Sequence, residues 1–258
     1  MRVRVLGCSG GIGGVSSRTT ALLVDDDTLI DCGTGVGVLH VDELARIDRI
    51  FLTHAHLDHI ALLPMLVDAV SELRATPLQV YANDATVGVL RDHIFNWRVW
   101  PDFTAIPNRE APSLQFNTID IGQVVELGQG RRMRALPVNH AVPALGYGAI
   151  SSEGAALAFS GDTTHSPELA AALNTFDDLR YLLIETAYVD AQREMAMAAR
   201  HMCPQLLAEF LRTLSVRPEV FISHLKPGSE VQIMRELHGY EIPFQPCALQ
   251  ADEVFYLS

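Results

Sequence analysis

Residues 54–59 concentrate side chains that can bind metal ions. His54, His56, Asp58 and His59 place four ligand-type side chains within six residues, directly after an apolar, strand-like run. Imidazole and carboxylate groups together suit Zn²⁺, Mn²⁺ or iron. His54 and His56 can face one ion across an extended turn, whereas Asp58 and His59, one step into a following helix, can face a second. A solvated polar turn is the alternative, but this density of ligand types favours a metal site.

Further ligand candidates follow later apolar runs, each at the point where a predicted strand ends. His140, Asp162 and His224 each come after such a run. Strand ends are where scaffolds of this kind place their chemistry. Taken singly, each of the three could be a turn or capping residue. Taken as an ordered set, they predict the remaining ligands of a metal site.

These motifs resemble the metallo-β-lactamase superfamily. Its T-H-x-H-x-D-H signature matches residues 53–59, and its later His, Asp and His come in the same order. The resemblance spans essentially the whole chain. It implies two divalent metal ions that share a hydroxide, with zinc as the expected metal and manganese or iron as alternatives. The ligands that it implies are His54, His56 and His140 for one ion, Asp58, His59 and His224 for the other, and Asp162 as a bridge between them.

Two positions depart from other branches of the superfamily. Asp162 stands where true β-lactamases often use cysteine, and His56 stands where the di-iron flavoproteins place a glutamate. The sequence also has no flavin domain. We therefore expect hydrolysis of an ester rather than redox chemistry.

Glu185 and His201 narrow the resemblance to the ribonuclease Z-like branch. Glu185 ends an apolar run and His201 precedes a helix predicted to start at Pro204; taken alone, they read as a surface glutamate and a loop histidine. In that branch a glutamate and a histidine occupy these places. The resemblance implies that Glu185 orients His201 and that His201 protonates the leaving oxygen, because a neighbouring carboxylate stabilises protonated imidazole. We assign catalysis to this pair together with Asp58.

Within that branch the sequence most resembles class II cyclic-nucleotide phosphodiesterases. One departure is Ala61, where these enzymes usually carry glycine. The resemblance implies a two-metal phosphodiesterase that hydrolyses 3′,5′-cyclic nucleotides, cAMP or cGMP, to nucleoside 5′-monophosphates through the metal-bridging hydroxide. The segments that match are residues 6–11, 54–59, 93–96 with 100–103, 139–140 with Pro143 and 146–147, and 224–227.

Three other functions stay open. A ribonuclease Z-like tRNA 3′-endonuclease is the first, although such enzymes carry a long glycine- and proline-rich arm and this sequence has no basic insertion of that kind. An arylsulfatase-type esterase is the second. A metal-bound nucleotide sensor without turnover is the third, and the complete ligand set argues against it because degenerate relatives commonly lose ligands.

Composition limits the partners of the protein. The formal net charge of −12 disfavours nucleic acid as a partner, whereas a small phosphodiester can be attracted by the bound cations. No apolar run has the length of a membrane span, and the N-terminus lacks a signal peptide, so we expect a cytoplasmic protein without a membrane partner. The four cysteines include no C-x-x-C pair and are expected to be reduced.

The order of elements predicts the architecture. In each half of the sequence, strand-like segments come first and helix-like segments follow, with Asp84 and Ser166 as predicted helix caps. Two such halves, packed sheet against sheet, give a four-layer αββα sandwich, an α/β (α+β) fold, over a single domain of residues 1–258. Residues 7–14 are predicted to form tight turns that can line the floor of the site.

Residues 96–118 are predicted to be a loop-rich insertion because they contain three prolines and both tryptophans. Trp97, Trp100 and Phe103 could stack on a nucleobase, pack within the protein or contact a second copy of the chain. A homodimer is therefore compatible with the sequence, which leaves the role of residues 97–103 open.

Overall fold

Two seven-stranded β-sheets form the centre of the protein. The computed structural model describes residues 1–14 and 17–258. The two sheets pack face to face, and helices cover their outer faces. The four-layer αββα sandwich predicted from the sequence is therefore confirmed.

The first sheet comes from the N-terminal half of the chain and is completed by the last strand. The four strands from β3 to β8 run parallel, so their carboxyl-terminal ends meet at one edge. In spatial order, with numbers that follow the chain, the strands are β16 (Val254–Tyr256), β1 (Arg2–Gly7), β2 (Ala21–Val24), β3 (Thr28–Ile30), β4 (Arg49–Phe51), β5 (Leu78–Ala82) and β8 (Leu114–Thr118).

The second sheet comes from the C-terminal half and contains both parallel and antiparallel strands. The strands from β12 to β15 are parallel, and those from β9 to β12 are antiparallel. A short hairpin of β6 (Pro107–Asn108) and β7 (Ala111–Pro112) is separate from both sheets. In spatial order the strands are β15 (Cys247–Ala248), β14 (Glu219–Ser223), β13 (Asp178–Glu185), β12 (Ala155–Phe159), β11 (Leu145–Ile150), β10 (Arg131–Pro137) and β9 (Val124–Gly128).

The helices are short, and several begin with signals that the sequence shows. Ser166 caps α5 by accepting the Leu169 N–H, as predicted. No described helix is long and apolar enough to cross a bilayer. The helices are α1 (Val41–Leu44), α2 (Leu57–Ile60), α3 (Leu63–Val70), α4 (Asp84–Val89), α5 (Pro167–Leu173), α6 (Arg193–Ala199), α7 (Pro204–Leu211) and α8 (Glu230–His238), with 3₁₀ turns at Thr34–Val38 and Asp190–Gln192 and a π turn at Leu90–Ile94.

The core between the sheets explains why several strands are unbroken apolar runs. Every residue of β11 and β12 is buried, because each strand packs on the opposite sheet through one face and on helices through the other. Phe51 from the first sheet packs against Tyr147 from the second, with ring centroids 5.5 Å apart. The Tyr147 hydroxyl donates a hydrogen bond to the Leu52 carbonyl at 2.8 Å. These contacts fix the end of β4 against the second sheet.

Two local predictions differ from the structure. Asn83, not Asp84, caps α4, since the Asn83 side chain accepts the Thr86 N–H at 2.8 Å and Asp84 is the first helical residue. Asn and Asp cap helices about equally well, so two such neighbours do not define the start to within one residue.

The predicted insertion is only partly a loop. Its end, Leu114–Thr118, forms β8 and pairs in parallel with β5 at the edge of the first sheet. Its polar positions are typical of an edge strand, which is exposed on one side. Phe103 is buried in the core beneath the first sheet, whereas Trp97 is 65% exposed. Packing within the protein therefore accounts for Phe103.

Candidate functional site

The predicted ligands lie beyond the carboxyl-terminal ends of strands from both sheets. Residues 54–59 follow β4, and His140, Asp162 and His224 follow β10, β12 and β14. The strand ends from the two sheets meet at one edge of the sandwich, where the Leu145 N–H donates to the Thr53 carbonyl at 2.9 Å. The structure thus brings together side chains that are separated by up to 170 residues in the sequence.

The first candidate metal-binding group contains His54, His56, His140 and Asp162. One ligand atom from each residue lies within 4.8 Å of the others. Asp162 Oδ2 is 3.7 Å from His54 Nε2 and 3.9 Å from His140 Nε2. His140 Nε2 is also 3.3 Å from His56 Nδ1. The four atoms therefore converge on one point, as donors to a single ion would.

The second candidate group contains Asp58, His59, His224 and the same Asp162. Asp162 Oδ1 is 3.3 Å from His59 Nε2 and 2.9 Å from His224 Nδ1. Asp58 Oδ2 lies 3.6 Å from His59 Nε2. The two oxygens of Asp162 thus face different groups, which is the geometry of a bridging carboxylate.

Several of these atoms lack the hydrogen bonds that burial demands. His54 Nε2, His59 Nε2, His224 Nδ1 and Asp162 Oδ1 are buried and have no hydrogen-bond partner of acceptable geometry among the described residues. Buried polar groups are usually satisfied, and each exception needs an explanation. Unsatisfied imidazole nitrogens around a carboxylate are what divalent cations require, so this chain's residues fit two such ions.

The charged groups of the site shift one another's pKa values. Burial acts to raise the pKa of Asp162, but His224 and His59 outweigh it and hold that pKa well below its ordinary value. Burial, followed by the charge of His59, lowers the pKa of His54 well below its usual value. Burial also acts to lower the pKa of His59, yet Asp162 and Asp31 raise it well above. Because a metal ion binds the unprotonated imidazole, the raised pKa of His59 should make metal binding weaken as pH falls.

Asp31 also supports this site, although it is not among the site residues predicted from the sequence. It is fully buried, accepts the Thr53 N–H at 2.8 Å and contacts His59 Nδ1 at 2.6 Å. The contact directs His59 Nε2 toward Asp162, as carboxylates behind metal-binding histidines commonly do. Asp31 directly follows β3, so the rule used for the later ligands, a polar residue at a strand end, could have found it.

Replacing Asp31 with Asn should weaken metal binding about 10- to 100-fold, the usual effect of losing a group that orients a ligand. The amide keeps the size of the side chain but removes the charge that makes His59 a stronger base. Competition with a chromophoric chelator measures the change. Asp27→Asn is the control, because Asp27 pairs with Arg131 away from the ligands and should leave metal affinity unchanged. Equal affinities in wild type and folded Asp31→Asn protein would rule out the supporting role.

Glu185 and His201 form a close pair beside both groups. His201 Nδ1 donates to the buried Glu185 Oε1 at 2.7 Å, and the Thr163 N–H donates to the same oxygen at 3.0 Å. Burial acts to lower the pKa of His201, but the Glu185 carboxylate outweighs burial and raises it. The His201 ring centroid lies 4.9 Å from that of His140 and 5.3 Å from that of His224. The His201 imidazole therefore stands between the two candidate metal groups, beside a carboxylate that favours its protonated form.

Arg200 is a second residue that sequence reasoning missed. It ends α6 in the left-handed conformation, with φ 54° and ψ 48°. Its carbonyl accepts a hydrogen bond from His140 Nδ1 at 3.1 Å, which leaves Nε2 of that ring for the first group. Its guanidinium donates to the His140 carbonyl at 3.0 Å. No sequence motif indicates this role, since the residues are 60 positions apart.

Glycines allow the segments of the site to approach closely. A Cβ on Gly10 would collide with the His224 carbonyl oxygen, and the Gly10 N–H donates to the Leu225 carbonyl at 3.0 Å. Gly161 has φ +60°, and a Cβ there would lie 2.9 Å from Thr53 Cγ2. The predicted glycine turns therefore border the site on the side of His224.

A family profile described as the beta-lactamase superfamily domain matches residues 27–224. The chain belongs to the metallo-β-lactamase superfamily. The match covers most of the chain and includes every candidate metal ligand. The superfamily inferred from the motifs at residues 53–59 is therefore confirmed.

Relatives within this hydrolase superfamily include a protein named as a cyclic-nucleotide phosphodiesterase and proteins named as ribonuclease Z. A probable 3′,5′-cyclic-nucleotide phosphodiesterase of Yersinia pestis is 29% identical over 204 residues, which are 70% of this chain and 58% of that protein. A ribonuclease Z of Natronomonas pharaonis is 30% identical over 158 residues, which are 59% of this chain and 48% of that protein. The chain thus spans about half the length of the curated relatives that it matches.

Solved structures show the same fold along the whole chain. Unliganded yeast PDE1 has a TM-score of 0.81 at 16% identity, with 99% of both chains covered. The metallo-β-lactamase fold protein YhfI from Bacillus subtilis has a TM-score of 0.76 at 18% identity, with 98% of both covered. The short form of human tRNase Z has a TM-score of 0.70 at 19% identity, with 100% of both covered. At these identities the likeness concerns the fold alone.

Proposed function

We propose that this chain is a metal-dependent phosphodiesterase that hydrolyses 3′,5′-cyclic nucleotides, cAMP or cGMP, to nucleoside 5′-monophosphates. The observation that carries the proposal is the pair of Glu185 and His201 beside a bridging carboxylate. Such a pair suits a phosphoester whose leaving oxygen needs a proton. The Yersinia pestis relative named as a probable cyclic-nucleotide phosphodiesterase supports this choice of substrate.

The metal ions would occupy the two groups that share Asp162. When bound, two divalent ions, zinc in our proposal, would supply an activated water and neutralise charge on the phosphate. His54, His56 and His140 would hold one ion, and Asp58, His59 and His224 the other. The neutral state of His54 and the negative charge of Asp162 suit this task, because ligands must be deprotonated.

The protein's own groups would handle the protons. Asp58 is the most exposed carboxylate of the cluster, with 31% of its side chain accessible, and we assign it to receive the proton of the attacking water. His201 would donate its proton to the departing 3′-oxygen, while Glu185 holds Nδ1 of the ring. The same carboxylate keeps His201 protonated to higher pH than an isolated imidazole, because it raises the pKa of that ring.

A cleft beside the first group offers space for the nucleoside. It has a volume of about 690 Å³ and is lined by His140, Arg200, Asn83 and apolar side chains that include Ile119 and Val142. Ligand sites typically measure about 300–1,000 Å³ and combine apolar walls with a few polar groups. We place the base and ribose here, with the phosphate toward Asp162.

A tRNA 3′-endonuclease is the second candidate, because relatives named ribonuclease Z also match the chain. The balance of 31 acidic against 19 basic residues disfavours a long polyanion as substrate. We propose a small phosphodiester as the partner instead, and the cytoplasm as the compartment. The arylsulfatase-type esterase and the nucleotide sensor remain as further outcomes of the test.

A substrate panel tests the proposal. Protein reconstituted with zinc, and separately with manganese, should hydrolyse cAMP or cGMP and release the 5′-monophosphate. The panel also contains bis(p-nitrophenyl) phosphate, p-nitrophenyl sulfate and a precursor tRNA. If the metal-loaded protein left both cyclic nucleotides and the nitrophenyl diester intact, the phosphodiesterase proposal would be wrong. Cleavage of only the tRNA or only the sulfate would identify one of the alternative enzymes, and nucleotide binding without turnover would identify a sensor.

A further inference from the structure

Lys226 is the only lysine of the chain, and it lies at the candidate site. Its ammonium is 4.0 Å from the centroid of the Tyr188 ring. The centroid of the Tyr188 ring lies 5.8 Å from that of the His201 ring. The His201 ring centroid lies 5.3 Å from that of His224. A fixed positive charge is thus close to the proposed proton donor, on the side of the second metal group.

The Lys226 ammonium forms no ion pair within the part of the chain that the structure describes. No carboxylate there lies within 4.0 Å of its ammonium, although the chain has 31 acidic residues. The residue is half-buried. Partly burying a cation beside an aromatic ring, without a counter-ion, leaves its hydrogen-bond donors available to an anion from outside.

The backbone holds Lys226 in a defined place. The His224 N–H donates to the Cys8 carbonyl at 2.7 Å, and the Gly10 N–H donates to the Leu225 carbonyl at 3.0 Å. The Ser229 N–H donates to the Lys226 carbonyl at 3.0 Å. The glycine-rich turn therefore fixes the segment that carries both His224 and Lys226.

Other nearby cations are less available. The Arg200 guanidinium donates to the His140 carbonyl and to Asn139 Oδ1, so at least one of its nitrogens is engaged by the protein. The Lys226 ammonium and the His201 ring lie 4.0 Å and 5.8 Å from the centroid of the same Tyr188 ring, so both side chains can reach one substrate.

We propose that Lys226 binds a non-bridging phosphate oxygen of the substrate, and of the monophosphate product, on the side of the site bounded by Tyr188 and His201. This inference rests on the proposed function. Lys226 would act as a binding residue that selects phosphoesters with a free anionic oxygen, in addition to the charge of the metal ions. Tyr188 would hold the flexible lysine side chain in position through the face of its ring.

Because the chain has one lysine, its side chain can be observed directly in the wild-type protein. Protein labelled with ¹⁵Nζ,¹³Cε-lysine should give one side-chain signal, and titration of the zinc-loaded protein with 5′-AMP should shift it. Adenosine, which lacks the phosphate, should leave the signal in place. Binding of 5′-AMP, followed by calorimetry, without any change in the Lys226 signal would overturn the proposal.

Matched variants give an independent test. Lys226→Met keeps an unbranched side chain against Tyr188 but removes the charge, and it should weaken 5′-AMP binding about 10- to 100-fold, the effect of one charge-assisted hydrogen bond. KM for the cyclic nucleotide should rise in parallel. Lys226→Arg should recover most of the affinity. Arg235→Met on the exposed face of α8 changes the net charge equally and should bind like wild type.

The outcomes separate this inference from the proposed function. If wild type hydrolyses a phosphodiester but Lys226→Met binds 5′-AMP as tightly as wild type, Lys226 is not a phosphate ligand and the function stands. If Lys226→Met weakens adenosine and 5′-AMP equally, the residue shapes the nucleoside site and the inference is wrong. If wild type neither binds 5′-AMP nor turns over any phosphodiester, the proposed function itself fails.

Discussion

Replacing Asp162 with Asn should lower phosphodiesterase activity by at least about 10³-fold, since charge stabilisation by bound metals contributes several kcal/mol and 1.36 kcal/mol corresponds to tenfold. Asp162 Oδ2 faces the first ligand group, and Oδ1 faces the second. The neutral amide has the same size but cannot neutralise two cations at once. Elemental analysis should find fewer metal ions in the variant than in wild type, alongside the loss of turnover.

Asp190→Asn is the matched control for the Asp162 experiment. Asp190 also accepts hydrogen bonds, from the Gln205 N–H and the Tyr240 hydroxyl, but it belongs to neither metal-binding group. We expect this control to keep its metal content and turnover. If Asp162→Asn retained both the metals and the full activity of wild type, the bridging role would be wrong. Circular dichroism spectra of both variants should show that each has folded.

Replacing His201 with Ala should reduce turnover of cyclic AMP about 10²- to 10⁴-fold, the usual contribution of a positioned general acid. The loss on bis(p-nitrophenyl) phosphate should be below about tenfold, because nitrophenolate departs without needing a proton. The ratio of the two losses is the measurement that decides the role. Metal content should stay at the wild-type level, since His201 lies beside the ligand groups without belonging to either of them.

Glu185→Gln is the companion variant to His201→Ala. The amide can still hold the His201 ring but removes the charge that raises its pKa, so the alkaline limit of the pH–rate profile should move to lower pH. The direction follows because a general acid works only while it is protonated. Equal losses on cyclic AMP and on the nitrophenyl ester in His201→Ala would exclude the acid role. An unchanged pH profile in Glu185→Gln would show that Glu185 only positions the ring.

The candidate metal ligands that the structure brings together could be predicted because each of them is marked locally. An apolar strand followed at once by His or Asp is visible in the sequence at His140, Asp162 and His224, and residues 54–59 carry four such groups in one turn. The cap at Ser166 is equally local. The layered fold followed from unbroken apolar runs, which indicate strands that are covered on both faces.

Other features could not be predicted because they depend on contacts between distant segments. Asp31 is 28 residues from His59, and Arg200 is 60 residues from His140, so no local pattern joins either pair. β8 was not predicted as a strand because an edge strand has too few buried positions to show a clear apolar run. The contact between the Lys226 ammonium and the Tyr188 ring forms only when β14 and the segment after β13 lie side by side.

The sequence alone therefore determined the superfamily to which the chain belongs, and it marked the candidate metal ligands from residues 54–59 to His224. The tertiary structure decided how they are arranged: the two oxygens of Asp162 face different groups, and His201, held by Glu185, stands between those groups. The physical reason is that the sequence specifies the chemical type of each side chain directly, without reference to its neighbours in space. Convergence, burial and the resulting pKa shifts arise only when the strand ends of both sheets meet.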